Sequence, residues 1–294
     1  MTGAAAGWYP DPYRQATLRF WDGAVWTGYV AGWHEPPRSP DTDAWLRLDQ
    51  RVSEMRAESA QRWGVRPILV PALALGAVVV VGSALAAWWD LTGAAATVAS
   101  LVSNVLAYAV IGVAIWFAGR PIAARHGGWA ATFGWSRPTG REALWVVPWY
   151  LANMFARMIA SFVLLMVVPA LRNANGSNVD LSGASTGAII ATMFVVAVVA
   201  PPVEELMFRG LALRTLMRKF AFWPAAITSS VIFGLFHIYE LDTWKGAILL
   251  GFSTAMLGLG QCVLVRRNVT LNTAIGVHSL SNVVAALLSL YLLT

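Results

Sequence analysis

Long uncharged apolar runs alternate with short polar connections from residue 67 to residue 293. Residues 67–89 and 91–118 carry no charge, and 143–171 is apolar apart from Arg157. Residues 186–203 are apolar and lead directly into Glu204 and Glu205. Three more runs follow, at 222–238, 246–265 and 271–293. An α-helix rises ~1.5 Å per residue, so a hydrocarbon layer of ~30 Å takes about 20 residues. The pattern predicts an all-α polytopic membrane protein of about seven transmembrane helices, with 222–238 the shortest.

Residues 1–66 have a different rhythm. The stretch "GWYPDPYRQATLRFWDGAVWTGYV" (7–30) sets Trp8, Trp21 and Trp26 among the turn residues Pro10, Asp11, Pro12, Asp22 and Gly23. It predicts two or three short strands joined by tight turns. Such a module is too small for a large core. The chain therefore divides into a small β-rich Trp module (1–34), a linker and helix (35–66), and a transmembrane helical domain (67–294). The linker is "EPPRSPDTD". In 43–63, Trp45, Leu48, Val52, Met55 and Trp63 recur near helical spacing among arginines. That segment is either an amphipathic helix resting on an anionic cytoplasmic leaflet or an ordinary solvated helix.

Composition agrees with the membrane reading. Only 12% of residues are charged and 57% are hydrophobic, whereas a soluble domain carries roughly 25% charged residues. The single cysteine, Cys262, excludes an internal disulfide. Residues 1–30 lack the apolar core of a secretory leader. The net charge of +6 is distributed by topology. Arg47, Arg51, Arg56, Arg62 and Arg66 precede the first span, and the next connection has no Lys or Arg. Arg120, Arg125, Arg137 and Arg141 fill the second connection; Arg172 and Asp180 lie in the third. Rich and poor loops keep alternating through Arg214, Arg218 and Lys219, then "YELDTWKG", then Arg266 and Arg267. This is the positive-inside pattern. It predicts a multi-pass protein of the cell membrane with a cytoplasmic N-terminus and an extracytoplasmic C-terminus. No basic strip interleaved with aromatics points to nucleic acid. Trp88, Trp89, Trp145 and Trp149 near span ends read as interface anchors.

Ionisable groups inside spans cost a few kcal/mol each and usually face a cavity or a partner. Here they are Arg157, Glu204, Glu205, Arg209, His237 and His278, joined by the amide of Asn282. Glu204 and Glu205 point about 100° apart on a helix. Glu205 and Arg209 are four apart and share a face, the spacing of an ion pair. Pro201 and Pro202 remove two backbone donors just upstream and predict a bend with room for water or substrate. Phe233 and His237 are four apart, as are His278 and Asn282. Each pattern alone has a plain reading: interface anchors for the glutamates, a capped imidazole for His237, a polar clasp between helices for His278 and Asn282. Together they place a hydrogen-bonding face on each of three helices, about 15–21 Å from the cytoplasmic ends at ~1.5 Å per residue. A carboxylate, two imidazoles and an amide are what amide hydrolysis requires: a base for water, a second group to fix it, and donors for the oxyanion. Arg157 either pairs with a site glutamate, attracts a substrate carboxyl terminus, pairs with a backbone carbonyl, or snorkels if the third helix sits off-centre.

The motifs Glu-Glu-x-x-x-Arg (Glu204, Glu205, Arg209), Phe-x-x-x-His (Phe233, His237) and His-x-x-x-Asn (His278, Asn282) occur in that order. They resemble the intramembrane proteases that include the CAAX prenyl endopeptidases and the bacteriocin-processing enzymes, the CPBP or Abi family, over residues 186–293. The resemblance implies hydrolysis, at or within the membrane, of a peptide bond in a membrane peptide or lipidated protein. It implies Glu204 as the base on water with His237. His278 and Asn282 then act as oxyanion donors or metal-site groups, and Glu205 and Arg209 shape the site. Both metalloprotease and metal-free glutamate mechanisms are attached to the family. Glu204, His237 and His278 are admissible Zn2+ ligands, but no compact His-Glu-x-x-His motif is present. The pattern W-Y-P-D-P…R-F-W-D-G…W-T resembles a small Trp-rich module at the N-termini of many bacterial membrane proteins, which implies no chemistry. Two other readings stand beside the endopeptidase. One is a non-catalytic scaffold or immunity protein of the same family. The other is a transporter or proton relay, for which the hydropathy lacks an inverted repeat.

Overall fold

Short strands rich in aromatics need close turns, and long apolar runs need internally bonded helices; the chain contains one unit of each kind, Met1–Asp43 and Ala44–Thr294. The structure, a computed structural model, describes residues 4–12, 17–31, 64–89, 93–172, 185–238, 243–268 and 270–293. The linker and the amphipathic helix expected within 35–63 lie outside the described residues.

The first unit is an antiparallel three-stranded meander of β1 (Gly7–Pro10), β2 (Leu18–Trp21) and β3 (Trp26–Ala31). Register puts Trp8 opposite Phe20 and Trp21 opposite Trp26. Both cross-strand pairs meet edge to face, with centroids 5.4 and 5.3 Å apart. Trp21 is buried, and its indole N–H donates to Ala4 O. The β2–β3 turn follows from Asp22-Gly23: Gly23 sits at φ 99°, and the Asp22 carboxylate accepts N–H bonds from Val25 at 2.7 Å and Ala24 at 2.8 Å. Those backbone donors, Val25 first, hold the Asp22 carboxyl below its ordinary range. A buried Arg19–Asp11 pair at 2.7 Å supplements the small core.

The second unit is helical: α1 (Arg66–Trp89), α2 (Gly93–Arg125), α3 (Gly128–Phe133), α4 (Gly140–Leu144), α5 (Val146–Val167), the long irregular α6 (Thr186–Leu216), α7 (Phe222–Leu235), α8 (Trp244–Asn268) and α9 (Asn272–Leu293). Among the described residues five helices are long and apolar enough to cross a membrane: Val98–Arg125, Gly140–Val167, Thr186–Leu216, Trp244–Asn268 and Asn272–Tyr291. Arg66–Gly82 and Phe222–Leu235 are shorter apolar helices. The all-α membrane class with a small β module is what the structure shows; of the seven expected spans, five have the length and apolarity to cross and the other two are shorter helices, so the count of seven is not confirmed. The 14 residues of α7 reach only about 21 Å, short of the ~30 Å hydrocarbon layer.

Packing explains which faces are apolar. On α5, Phe155, Met158, Ile159, Phe162, Val163 and Met166 are all more than half exposed, as a lipid-facing stripe should be, since lipid is as apolar as these side chains. Helices α7 and α8 meet through glycine. A Cβ on Gly234 would lie 2.3 Å from Gly251 O, so only glycine admits that backbone approach. Glu142 anchors the start of α9. It forms a capping box with Thr139 and accepts from Asn272 Nδ2 at 3.0 Å and from Thr270. Arg157 donates to Ser253 Oγ at 2.7 Å, joining α5 to α8. That partner is a side-chain hydroxyl on another helix, which was not among the roles expected for Arg157.

Candidate active site

The site grows out of an irregularity in α6. An α-helical N–H pairs with the carbonyl four residues back, and Pro201 and Pro202 have no N–H. The chain responds by widening. Val195–Val199 is π-helical, with the Ala200 N–H reaching back five residues to Val195 O. At that spacing the partner of Val196 O is residue 201, a proline without a donor. Asn282 on α9 supplies the missing hydrogen: its Nδ2 donates to Val196 O at 2.7 Å. A short α segment, Ala200–Glu205, then presents the two glutamates. A second π segment, Leu206–Ala212, carries Arg209. Such insertions re-aim side chains and cluster at functional sites.

Glu205 and Arg209 are fully buried, with Arg209 Nη1 3.3 Å from Glu205 Oε1. The same Oε1 lies 2.9 Å from Nδ1 of His278. The other ring nitrogen of His278 faces Glu204: Nε2 is 3.6 Å from Glu204 Oε2, longer than a direct hydrogen bond. One buried imidazole thus stands between the two carboxylates. Glu204 is held on its far side by Tyr108 of α2, whose hydroxyl donates to Oε1 at 2.6 Å. Oε2 is buried and has no hydrogen-bond partner among the described residues.

Phe233 forms the floor. Its ring is buried and receives the Arg209 guanidinium at 4.3 Å, the edge of His237 at 4.7 Å and that of His278 at 5.7 Å. His237 Nδ1 is 2.8 Å from Phe233 O. A carbonyl only accepts, so Nδ1 carries a hydrogen, and in the neutral ring Nε2 then keeps its lone pair. Gly258 on α8 makes room for Arg209; a Cβ there would lie 2.7 Å from Nη2.

The structure thus joins Glu204, Glu205, Arg209 and His278 directly and brings His237 against the same Phe233 ring. Asn282 bonds instead to the π-helical carbonyl of Val196. Tyr108 and Gly258 escape the sequence reading: tyrosine counts as apolar within a span, and a glycine's use as empty space shows only against its neighbour. Among the described residues no three His, Cys, Asp or Glu side chains converge to hold a metal ion, although Glu204 and His278 approach one another.

Residues 186–284 match the family model Rce1-like, described as type II CAAX prenyl endopeptidase Rce1-like. Residues 6–43 match a family of unknown function, DUF2510. No curated protein and no solved structure matches the chain. Glu204, Glu205, Arg209, His237, His278 and Asn282 all fall inside the first matched segment, whereas Tyr108 lies before it. The description of that model names the kind of protease that the three motifs resemble.

Proposed function

We propose that the Rce1-like segment works as an intramembrane endopeptidase in which Glu204 activates water against a peptide bond of a membrane peptide or lipidated protein. The observation that carries this reading is Glu204 Oε2, a buried oxygen with no hydrogen-bond partner among the described residues, 3.6 Å from His278 Nε2. Oε2 takes a proton from water as the water oxygen bonds to the carbonyl carbon. The carbonyl oxygen becomes the oxyanion, met by the Asn282 Nδ2 hydrogen that Val196 O does not use and, when the His278 ring carries both protons, by its Nε2–H. Glu204 then returns the proton to the amide nitrogen as the carbon–nitrogen bond breaks. The Nε2 lone pair of His237 accepts the water's other hydrogen. Glu205, paired with Arg209, orients His278 from the opposite side. The N-terminus is cytoplasmic and the C-terminus extracytoplasmic, on the alternation of basic loops.

The test uses the full chain purified in detergent with lipidated and unmodified membrane peptides. Glu204→Ala and His237→Ala each abolish cleavage while leaving expression intact; full activity in either variant rejects the mechanism. A cellular effect that persists in full in Glu204→Gln, with partner binding retained, supports the non-catalytic scaffold instead.

A further inference from the structure

We propose that Tyr108 is a positioning residue that fixes which oxygen of Glu204 faces the reaction, an inference that rests on Glu204 as the base. Tyr108 and Glu204 are 96 residues apart, and the hydroxyl-to-Oε1 distance is 2.6 Å, the short distance of a hydrogen bond to an ionised acceptor. The last torsion of a glutamate is broad and nearly two-fold. Left alone, the carboxylate turns either oxygen toward His278. The Tyr108 bond removes that equivalence: Oε1 is engaged, and Oε2 is the oxygen left 3.6 Å from Nε2. A phenol suits the task, since its ring holds the hydroxyl at a constant reach on only two torsions.

Tyr108 sits on α2, outside the matched residues 186–284. Helix α2 lies against several parts of α6, including the segment that bears the glutamates. A residue from the preceding part of the chain therefore completes the environment of the base. A purely structural tether between α2 and α6 predicts a loss of stability with catalytic constants in proportion to the folded fraction. A positioning role predicts a fall in kcat at unchanged KM and unchanged stability, because the interaction acts on the alignment of the base.

The experiment compares the full-length protein, Tyr108→Phe, Glu204→Gln and the double variant in detergent. Infrared difference spectra of wild type minus Tyr108→Phe are expected to show a carboxylate stretching band. The same subtraction on the Glu204→Gln background is expected to lack it. With a cleavable peptide, Tyr108→Phe lowers kcat about ten- to a hundredfold, the scale of misplacing a catalytic group, while KM and the melting temperature stay at wild-type values. A wild-type kcat in Tyr108→Phe, or a carboxylate band that survives without Glu204, overturns the proposal. Should the wild type cleave no peptide while the band depends on Glu204, the endopeptidase reading fails and the Tyr108–Glu204 contact stands.

Discussion

At the scale of single residues, the buried charges dominate. Arg209 and Glu205 form a fully buried pair, and removing one partner leaves the other uncompensated. Arg209→Met is expected to destabilise the protein by about 3–5 kcal/mol, measured as the change in unfolding free energy in detergent. Gly258→Ala acts on the same guanidinium by volume. The added Cβ meets Nη2 at 2.7 Å, the Phe233 ring at 3.2 Å and the Ser230 backbone at 3.3 Å. A cost of about 1–3 kcal/mol is expected from overpacking, with loss of cleavage as Arg209 is pushed off Glu205. In the Trp module, Asp22 titrates with a defined sign. Its carboxyl is held below the ordinary range by the N–H groups of Val25 and Ala24. Its contribution is complete above the unfolded value of about 3.9 and is lost as pH falls through the lowered folded value. Amide proton shifts of Val25 and Ala24 should follow that acid titration, and Asp22→Asn should abolish it.

At the scale of elements, the irregular helix α6 makes a coupling that can be measured. Asn282 donates to Val196 O because Pro201 brings no hydrogen there. Asn282→Ala leaves that carbonyl unpaired, at a cost of about 1–3 kcal/mol if no water replaces the amide. Pro201→Ala restores a backbone N–H, so the double variant Pro201→Ala/Asn282→Ala should lose less stability than the sum of the two single changes. Independent, additive costs in thermal or denaturant unfolding would show that the proline and the asparagine are unconnected. The Phe-x-x-x-His and His-x-x-x-Asn spacings were legible in the sequence because helical periodicity is local. The π-helical turns were legible only as a bend at the prolines. Whether a helix answers a missing donor by kinking, by water or by a widened turn depends on what the neighbouring helix offers.

At the scale of the whole molecule, crossing number and topology are linked. Five helices have the length and apolarity to span, and Arg66–Gly82 and Phe222–Leu235 are shorter. If both shorter segments also cross, the odd total puts the termini on opposite faces; if only one does, the termini share a face. The positive-inside alternation predicts opposite faces. Cysteines introduced near the two ends, with the buried Cys262 as a silent background, should therefore react with an impermeant reagent from opposite sides of the membrane. Labelling of both ends from one side would remove a crossing from the predicted topology.

The sequence by itself determined the membrane class, the places of the apolar runs, the separate Trp module and the residues on each polar helix face. All of these follow from transfer free energy and from periodicities of two and 3.6 residues, which are properties of neighbouring positions. Only the tertiary structure decided that His278 stands between Glu204 and Glu205, that Tyr108 holds Glu204, and that Asn282 completes a carbonyl of α6. Those contacts join residues 73, 96 and 86 positions apart. A distance between side chains on different helices is set by how the helices pack, and no local pattern along one chain encodes it.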